Sequence, residues 1–355
     1  MEGLGAMRVL VTGHHGYIGS VTVEALVEAG HDVVGLDAFL YEGCDLGREQ
    51  QTVPALRLDI RDVAAQDLEG FEAVVHLAGL SNDPLGALNP ALTEEINRDG
   101  TLRVARAAKE AGVGRFVFAS SCSMYGIAEG ARAIDETAAL QPLTEYARSK
   151  AFAEESLLTL ADDDFSPVLM RNATAYGVSP RLRLDLVLNN LVGWALTTGK
   201  VRILSDGTPW RPLAHVRDIA AATVALLEAP RAVVHGEAFN VAPQDENYQV
   251  SDLARIVRDA IGGCEIEYAG SGDPDPRSYR VDFGKLARAL PELRLSWTAT
   301  MGAHELVEAY RANDLTFDVF AGSRFTRLKR LQDLLDADAI DASLRRRAAE
   351  PELVA

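Results

Sequence analysis

A short apolar strand that runs into three spaced glycines is the feature that most constrains this chain. Residues 9–11 form an apolar run that predicts a buried strand, and Gly13, Gly16 and Gly19 follow it. From Tyr17 onward the hydrophobic pattern becomes that of a helix. A strand, a glycine turn and a helix N-terminus together aim backbone N–H groups at a diphosphate. We therefore predict a dinucleotide-binding site, in which the glycines permit a tight turn and a close backbone approach.

An aspartate at the end of the second predicted strand bears on which dinucleotide would bind. The strand covers residues 32–36 and ends at Asp37, which lies 18 residues beyond Gly19. A carboxylate at this position accepts hydrogen bonds from the adenosine ribose hydroxyls and repels a 2′-phosphate. Residues 38–40 contain no arginine that could receive such a phosphate. The pattern favours NAD over NADP; the alternative is an ordinary solvated aspartate at a strand end.

Further apolar runs alternate with helical patterns along the first half of the chain. Strands are predicted at residues 56–60, 73–79, 115–120 and 167–171, and a helix at 92–111. This alternation predicts an α/β fold with a doubly wound parallel sheet of the Rossmann type. Ligands of such sheets bind at the carboxyl ends of the strands. Asp37, Asp59, Ser121 and Asn172 follow strand ends, so we predict that they face one crevice.

Beyond Gly177 the pattern changes, and we predict a smaller, discontinuous substrate-binding lobe followed by a helical C-terminal tail. The predicted domains are a dinucleotide-binding domain at 7–178 with a returning segment at 206–243, a lobe at 179–205 and 244–315, and a tail at 316–355. The predicted elements include helices at 184–196, 218–228 and 250–261 with Ser251 as N-cap, strands at 201–204, 211–216 and 239–241, and an exposed loop at 273–276. In the tail, the cluster of Arg324, Arg327, Lys329 and Arg330 predicts a solvated face or an interface; the alternative is a role in ligand binding.

The charge and cysteine content exclude several kinds of partner. The 355 residues carry a net charge of −17 at pH 7, which argues against nucleic acid or an anionic membrane as the main partner. An anionic ligand would then need local basic residues. Cys44, Cys122 and Cys264 lie far apart, with neither metal-ligand spacing nor a paired framework, so no metal site is predicted. A reducing cytoplasm is the expected compartment, and no apolar run approaches the ~18 residues of a membrane span.

Three residue types suited to hydride chemistry occur between the fifth and sixth predicted strands. Tyr146 and Lys150 are four apart on a predicted helix and so share one face, and Ser121 comes just past the fifth strand. A tyrosine, with an ordinary pKa of about 10, is a poor base at neutral pH, but a nearby ammonium group favours the phenolate. The phenolate could take a proton from a substrate hydroxyl while a serine hydroxyl relays it. Tyr146 and Lys150 alone could equally be exposed helix residues.

The chain also resembles a known family, the extended short-chain dehydrogenase/reductases, and within it the NAD-dependent sugar-nucleotide epimerase/dehydratase group. The matching pieces run in family order over roughly residues 7 to 300. They are Thr12-Gly13-x-x-Gly16-x-x-Gly19, Asp37, Asp59-Ile60, His76-Leu77-Ala78-Gly79, Asn97-x-x-Gly100-Thr101, Ser120-Ser121-x-x-x-Tyr125-Gly126, Tyr146-x-x-x-Lys150, Arg171 through Tyr176-Gly177, Arg211-Pro212-Leu213-Ala214-His215-Val216-x-Asp218 and Phe239-Asn240-Val241.

The resemblance implies roles for residues at the cofactor and the reacting centre. Tyr146 would be the base, Lys150 its tuner and a ribose ligand, and Ser121 the catalytic hydroxyl. Asp59 would accept a hydrogen bond from the adenine amino group. The residues that would bind NAD are Gly13, Gly16, Tyr17, Ile18, Gly19, Asp37, Asp59, Ile60, Leu77, Ala78, Gly79, Asn97, Tyr146 and Lys150.

The resemblance also implies a substrate site for a nucleotide-activated sugar. Arg211 and Arg277 match arginines that clamp the sugar-nucleotide diphosphate, as an acidic protein binding a dianion requires; each could instead form a surface ion pair. Thr174 replaces an asparagine that many relatives use near the substrate phosphate. Ser81, Asn82 and Asn172 are expected either to contact the substrate or only to form the wall of the crevice.

Two departures from the family pattern bear on the reaction. Cys122 and Ser123 stand where the 4,6-dehydratases of this family carry Asp-Glu, and the decarboxylases carry a glutamate at the position of Ser123. Elimination of water needs an acid and a base at neighbouring carbons, so we rank an epimerase above a dehydratase or a decarboxylase. Cys122 is a candidate acid or base, with simple packing as the alternative, and Ser123 is grouped with the candidate catalytic residues.

The leading hypothesis is therefore an NAD-dependent epimerase that oxidises a nucleotide sugar transiently and returns the hydride. The alternatives are a keto-sugar-nucleotide reductase or dehydrogenase with net cofactor turnover, and a non-catalytic NAD-binding scaffold. The family resemblance further implies a homodimer formed through two helices of each subunit.

Overall fold

The computed structural model describes residues 5–47, 51–81, 89–127, 133–268 and 277–347, together with the backbone of residues 352–354. Asn82 and the loop predicted at 273–276 lie outside these ranges.

Thirteen strands fall into one large and two small sheets within the described residues. They are β1 (Arg8–Thr12), β2 (Asp32–Asp37), β3 (Ala55–Arg57), β4 (Ala73–His76), β5 (Arg115–Ser121), β6 (Ser166–Asn172), β7 (Thr174–Tyr176), β8 (Lys200–Ile203), β9 (Trp210–His215), β10 (Ala238–Val241), β11 (Asn247–Gln249), β12 (Glu265–Tyr268) and β13 (Glu352–Val354). The large sheet has the order β10-β6-β5-β4-β1-β2-β3-β13, and its first seven strands are parallel. This is the predicted doubly wound Rossmann sheet, including the return of residues 239–241.

The strands of the sheet centre are buried because helices cover both faces. All four residues of β4 and all seven of β6 are buried. Two hydrophobic cores lie on opposite sides of the sheet, one built around Val9, Val11 and Val75 and the other around Leu10, Leu36 and Val74. Neighbouring residues of one strand therefore enter different cores, as period-two alternation requires.

The helices bracket the strands much as the hydrophobic periodicity predicts. They are Tyr17–Glu28, residues 90–110 (with wider π-helical turns at Glu94–Gly100), Glu145–Leu160, Val187–Thr198, Val216–Glu228, Arg231–Val234, Val250–Ile261, Gly284–Ala289, Ala299–Ala312, Phe317–Ala321 and Arg327–Asp336. Ser251 is not the N-cap of its helix, contrary to the prediction. Gln249 holds that position, and its backbone N–H donates to Asp252 at 3.0 Å.

The third strand is shorter than predicted, and the reason bears on the site. It ends at Arg57, and Asp59 closes the next turn by accepting a hydrogen bond from the backbone N–H of Arg61 at 2.9 Å. A side-chain acceptor of this kind competes with the strand ladder and favours a turn. Asp59 and Ile60 consequently lie in a loop past the carboxyl end of the sheet.

A second, smaller assembly packs around its own core. It contains the sheets β11-β9-β7 and β12-β8, and its core includes Tyr176, Leu191, Leu253 and Leu306. In the three-stranded sheet, β7 and β9 come from the predicted dinucleotide-binding segments and β11 comes from the predicted lobe. The division into domains at the predicted boundaries stays a prediction.

The C-terminal tail contains the two helices Phe317–Ala321 and Arg327–Asp336 and then returns to the large sheet. There β13 pairs antiparallel with β3, an arrangement that the sequence did not predict. The predicted solvated cluster is also divided by the fold. Arg324 is exposed, whereas Arg327 is only 2 % exposed and enters the protein interior.

Candidate active site

The glycine turn after β1 brings two backbone segments closer than any side chain would allow. Gly13 has a φ of +71°, and a Cβ atom there would lie 2.7 Å from the Ala78 backbone nitrogen. A Cβ atom on Gly19 would lie 2.1 Å from the Gly13 carbonyl oxygen. Gly16 precedes the helix Tyr17–Glu28, and no side chain caps that helix. Its first N–H groups face a pocket, which is the arrangement that binds a diphosphate.

This cofactor pocket gathers most of the residues predicted to bind NAD. Its walls include Gly13, Gly16, Tyr17, Ile18, Gly19, Asp37, Asp59, Ile60, Leu77, Ala78 and Gly79. The Tyr17 hydroxyl points away from the pocket and donates to the Gly177 carbonyl at 2.7 Å. The side chain of Tyr17 therefore ties the glycine turn to the strand end at Gly177, and only its backbone is placed to serve a ligand.

Asp37 anchors the loop that follows β2. Its carboxylate accepts hydrogen bonds from the backbone N–H groups of His15 at 3.1 Å and Phe39 at 2.7 Å. The His15 ring packs on Phe39 with a centroid distance of 4.6 Å, and burial together with the Arg181 charge lowers the pKa of His15 to about 3. The imidazole is therefore neutral at physiological pH, and Asp37 brings the acidic charge to this corner.

Asp59 has a charged partner that sequence reasoning missed. Arg61 donates to it from Nε at 2.9 Å and from Nη2 at 2.6 Å, and reaches Glu95 at 3.0 Å with Nη1. Burial favours the protonated acid, but the hydrogen bonds and charge of Arg61 outweigh it and lower the pKa of Asp59. A basic residue two positions past a turn aspartate was the signal available in the sequence.

Asn97 supports the pocket without lining it. Its side chain accepts from the Leu80 backbone N–H at 2.7 Å and donates to the Leu80 carbonyl at 2.9 Å. It also donates to the Ser149 hydroxyl at 3.3 Å. Asn97 is therefore placed to position the loop of residues 79–81. Asn97 itself is not among the residues that line the cofactor pocket, so its direct contact with NAD stays a prediction.

A second cavity of about 490 Å³ adjoins the cofactor pocket. The two share wall residues that include Ile18, Gly79, Ser81 and Arg183. Most of the predicted catalytic and substrate residues line this second cavity, namely Ser81, Ser121, Ser123, Tyr146, Lys150, Asn172, Thr174, Arg211 and Arg277. We refer to it as the substrate cavity. The shared wall residues Leu77, Gly79 and Leu80 follow the end of β4, at the carboxyl edge expected for a Rossmann sheet.

Lys150 is held rigidly on the wall of the substrate cavity. Its ammonium group donates to the Ala119 carbonyl at 2.7 Å and lies 4.6 Å from the centre of the Phe118 ring and 6.0 Å from that of Tyr146. Burial lowers the pKa of Lys150 to about 8. At neutral pH the group is still a cation, and it stabilises negative charge on a phenol beside it.

The serine cluster after β5 divides between the cavity and the core. The Ser121 hydroxyl donates to the Ser123 hydroxyl at 2.9 Å, and both residues line the substrate cavity. Cys122 turns the other way, with its thiol 3.1 Å from the Arg171 carbonyl and 1 % exposure. Burial raises the pKa of the Cys122 thiol. The structure brings Ser121, Tyr146 and Lys150 to one cavity and does not bring Cys122 there, which favours packing over proton transfer for this residue.

Part of the wall of the substrate cavity is basic. Arg211 and Arg277 both line it, and the Arg211 guanidinium donates to the Arg277 carbonyl. Asn172 is 7 % exposed, and its side-chain oxygen has no hydrogen-bond partner among the described residues. Asp185 is the single carboxylate among the described cavity walls, and Arg183 binds it at 2.9 and 3.0 Å.

Several residues of the family pattern form a buried network behind the site. Arg171 contacts both carboxylate oxygens of Glu154 at 2.8–3.1 Å and donates to the Tyr125 hydroxyl at 3.0 Å. The Tyr125 hydroxyl donates in turn to Asn240 at 2.7 Å. This network joins the helix Glu145–Leu160, which carries Tyr146 and Lys150, to the sheet.

Sequence reasoning missed the arginines and the leucine that come from other parts of the chain. Arg183 and Arg202 line the substrate cavity, and Arg183, Arg327 and Leu344 line the cofactor pocket. Arg183 lies in an irregular loop, and the last two lie in the tail, far along the chain from the glycine turn. No local pattern marks such residues.

The fold and the joined pockets define a dinucleotide-dependent enzyme of the Rossmann class. Comparison with known proteins makes this specific, because the model of the NAD-dependent epimerase/dehydratase family matches residues 9–242. The chain belongs to this family, and NAD is its cofactor. The glycine turn and the uncapped helix fit that dinucleotide. The chain is therefore an NAD-dependent enzyme of the sugar-nucleotide epimerase/dehydratase type.

Relatives within the family catalyse different reactions. The chain is similar to UDP-glucose 4-epimerase of Mus musculus, with 30 % identity over 334 residues, 85 % of this chain and 94 % of the relative. It resembles the dTDP-glucose 4,6-dehydratase DesIV of Streptomyces venezuelae, solved with NAD, with 25 % identity, a TM-score of 0.76 and coverage of 88 % and 100 %. MoeE5, solved with UDP-glucuronic acid and NAD, gives 27 % identity, a TM-score of 0.74 and coverage of 86 % and 99 %.

Within the described residues, no group of three or more His, Cys, Asp or Glu side chains is arranged to hold a metal ion. In the same part of the chain, no helix combines the length and the apolar composition needed to cross a membrane.

Proposed function

We propose that this protein is an NAD-dependent epimerase of a nucleotide-activated sugar. The observation that carries the proposal is the composition of the substrate cavity. Tyr146, Ser121 and Lys150 all line this cavity, which adjoins the cofactor pocket, while the one carboxylate among its described walls, Asp185, is bound to Arg183. The cavity thus offers groups for removing and returning a hydroxyl proton, and no unpaired carboxylate for eliminating water.

The residues of the chain would act on the substrate as follows. The Tyr146 phenolate takes the proton of a sugar hydroxyl, and the neighbouring Lys150 ammonium stabilises the phenolate. The Ser121 hydroxyl donates to the same sugar oxygen as it becomes a ketone. When bound, NAD supplies the hydride acceptor and donor for the sugar carbon. The hydride then returns to the opposite face of the carbonyl carbon, and the proton returns to the carbonyl oxygen. The result is an epimerisation without net oxidation.

The basic wall would hold the nucleotide part of the substrate. Arg211 and Arg277 line the same cavity as the catalytic candidates and suit a diphosphate, because a guanidinium group binds two phosphate oxygens at once. The free side-chain oxygen of Asn172 can accept a hydrogen bond from a sugar hydroxyl, and Thr174 and Ser81 line the same space.

The decisive experiment incubates the purified protein with a panel of UDP-, dTDP- and GDP-sugars in deuterated water. We expect an epimer of unchanged mass, no solvent deuterium at the inverted carbon and no accumulation of NADH at 340 nm. Accumulating NADH would instead establish a dehydrogenase, and a product lighter by one water a dehydratase. Tyr146→Phe is the inactive control. If no sugar nucleotide in the panel reacts or binds, the proposal is wrong.

We also propose that the protein is a homodimer formed through the helices at residues 90–110 and Glu145–Leu160. The second of these helices exposes Phe152 and Leu158, each at 43 %. Two large apolar side chains on one helix suit a surface that a partner covers. Sedimentation equilibrium of Phe152→Glu against the unaltered protein tests this; a monomeric unaltered protein would refute it.

A further inference from the structure

A buried arginine from the C-terminal tail faces the cofactor pocket and forms no ion pair with an acidic residue in the described part of the chain. Arg327 is 2 % exposed, lines the pocket, and has no hydrogen-bond partner for Nη1 among the described residues. Its Nη2 donates to the Arg181 carbonyl at 3.0 Å, and its guanidinium lies 4.1 Å from the centre of the Tyr41 ring. Burial lowers the pKa of Arg327.

The charges around Arg327 do not neutralise it. Arg181 is paired with Asp45, and Arg183 with Asp185, so these two carboxylates already have cationic partners. Arg183 also lines the cofactor pocket, as does Arg61, which is paired with Asp59. A buried cation without a counter-ion is strongly unfavourable, and an anionic ligand can supply the missing negative charge.

The tail reaches the pocket because arginine side chains fasten it to the loop that follows Asp37. Arg324 donates to the Asp45 carbonyl at 2.6 Å, Arg330 to that of Glu42 at 3.1 Å, and Arg346 to that of Ala38 at 3.0 Å. This part of the tail also contributes Leu331, Leu334, Ile340 and Leu344 to the hydrophobic core on that side of the sheet. The tail segment of residues 324–346 therefore forms part of the wall of the pocket.

We propose that Arg327 binds the diphosphate of NAD, so that docking of the tail and binding of the dinucleotide stabilise one another. The glycine turn approaches the diphosphate from the sheet, and Arg327 supplies a positive charge from the tail. The proposal commits to the diphosphate and not to a 2′-phosphate, because Asp37 brings a negative charge to the same pocket. It rests on the dinucleotide site described above and is independent of the reaction catalysed.

Three variants test the proposal by calorimetric titration of nucleotide-free protein. Arg327→Met should weaken binding of ADP-ribose and of NAD by about 10- to 100-fold, the usual effect of losing a charged hydrogen bond. Binding of adenosine, which has no phosphate, should change less than twofold. Arg327→Lys should lose less than Arg327→Met. The matched control is Lys329→Met, because Lys329 is exposed in the same tail and donates to the Ala321 carbonyl of the tail itself; this variant should bind ADP-ribose as the unaltered protein does.

Hydrogen exchange supplies a second readout that does not depend on the variants folding well. In the unaltered protein, ADP-ribose should slow exchange in peptides covering residues 327–346, because coupling between two sites is reciprocal. Three outcomes would overturn the proposal. Arg327→Met could weaken the binding of adenosine as much as that of ADP-ribose, or weaken the binding of NADP more than that of NAD. In the unaltered protein, ADP-ribose could leave hydrogen exchange in the tail unchanged. If the unaltered protein binds no ADP-ribose, the assignment of the dinucleotide site itself is wrong. A negative epimerase assay, by contrast, would not affect the proposal that Arg327 binds the diphosphate.

Discussion

Replacing Gly13 by alanine should remove NAD binding, whereas the same replacement at Gly112 should only lower stability. The two glycines share a left-handed backbone, with φ of +71° at Gly13 and +83° at Gly112. They differ in what surrounds them. A Cβ atom on Gly112 meets nothing within 4 Å, while one on Gly13 meets the Ala78 nitrogen at 2.7 Å and its Cα at 2.9 Å.

The geometry sets the expected cost of each change. A left-handed alanine costs about 1–2 kcal/mol, which is the whole penalty at Gly112. At Gly13 the added methyl group overlaps the backbone of Ala78, whose N–H donates to the Thr12 hydroxyl at 3.3 Å, and overpacking of this kind adds ~1–3 kcal/mol. The strain is relieved only if the turn moves away from Ala78. That movement also displaces the N–H groups that face the diphosphate.

Urea unfolding with and without NAD separates the two effects. At a concentration of 100 times its dissociation constant, NAD should raise the free energy of unfolding of the unaltered protein by about 2.7 kcal/mol. Gly112→Ala should show the same increase from a lower starting stability, and Gly13→Ala should show almost none. If Gly13→Ala gained as much from NAD as Gly112→Ala, the close approach to Ala78 would not be what the glycine provides.

Three further predictions concern the catalytic wall and the network behind it. Tyr146→Phe should lower turnover about 10²- to 10⁴-fold while preserving stabilisation by NAD, and a variant with a tenth of normal turnover would exclude Tyr146 as the base. Because the pKa of Lys150 is about 8, its cation is lost as the pH rises through that value. The kcat/KM should then fall about tenfold per pH unit above pH 8, and Lys150→Arg should lack this decline up to pH 10. Glu154→Gln leaves Arg171 buried without its carboxylate partner. This should lower the free energy of unfolding, measured in urea, by about 3–5 kcal/mol. The matched control Glu145→Gln breaks an exposed ion pair on the same helix and should lower the free energy of unfolding by less than about 1 kcal/mol. Equal losses of stability in the two variants would contradict a special role for the buried Arg171–Glu154 pair.

The sheet was predictable from sequence because its signals are local. Strands that helices cover on both faces must be apolar throughout, and the runs in β1, β4, β5 and β6 show this directly. The errors occurred where a side chain competed with the backbone pattern. Asp59 ends β3 early by accepting from the Arg61 N–H group, and Asp252 binds the Gln249 N–H group, so that the helix begins before Ser251.

The candidate site was predictable only where its residues follow strands or share a helix face. Tyr146 and Lys150 are four apart, and Ser121 ends β5, so local geometry brings them to the same cavity. The direction of Cys122 could not be read in this way, because the tight helical turn after Ser121 rotates adjacent side chains to opposite sides. Arg183 and Arg327 reach the pockets through tertiary packing, which leaves no periodic trace in the sequence.

The antiparallel pairing of β13 with β3 has a consequence for the order in which the protein can be completed. Residues 55–57 are translated about 300 residues before residues 352–354, which cover them. At ~5–20 residues per second, synthesis of the intervening chain takes roughly 15–60 s. During that interval the ribosome-bound polypeptide carries a strand whose hydrogen-bonding groups are open to other chains. Nascent protein is therefore most exposed to aggregation at β3, and chaperone capture during translation should concentrate there.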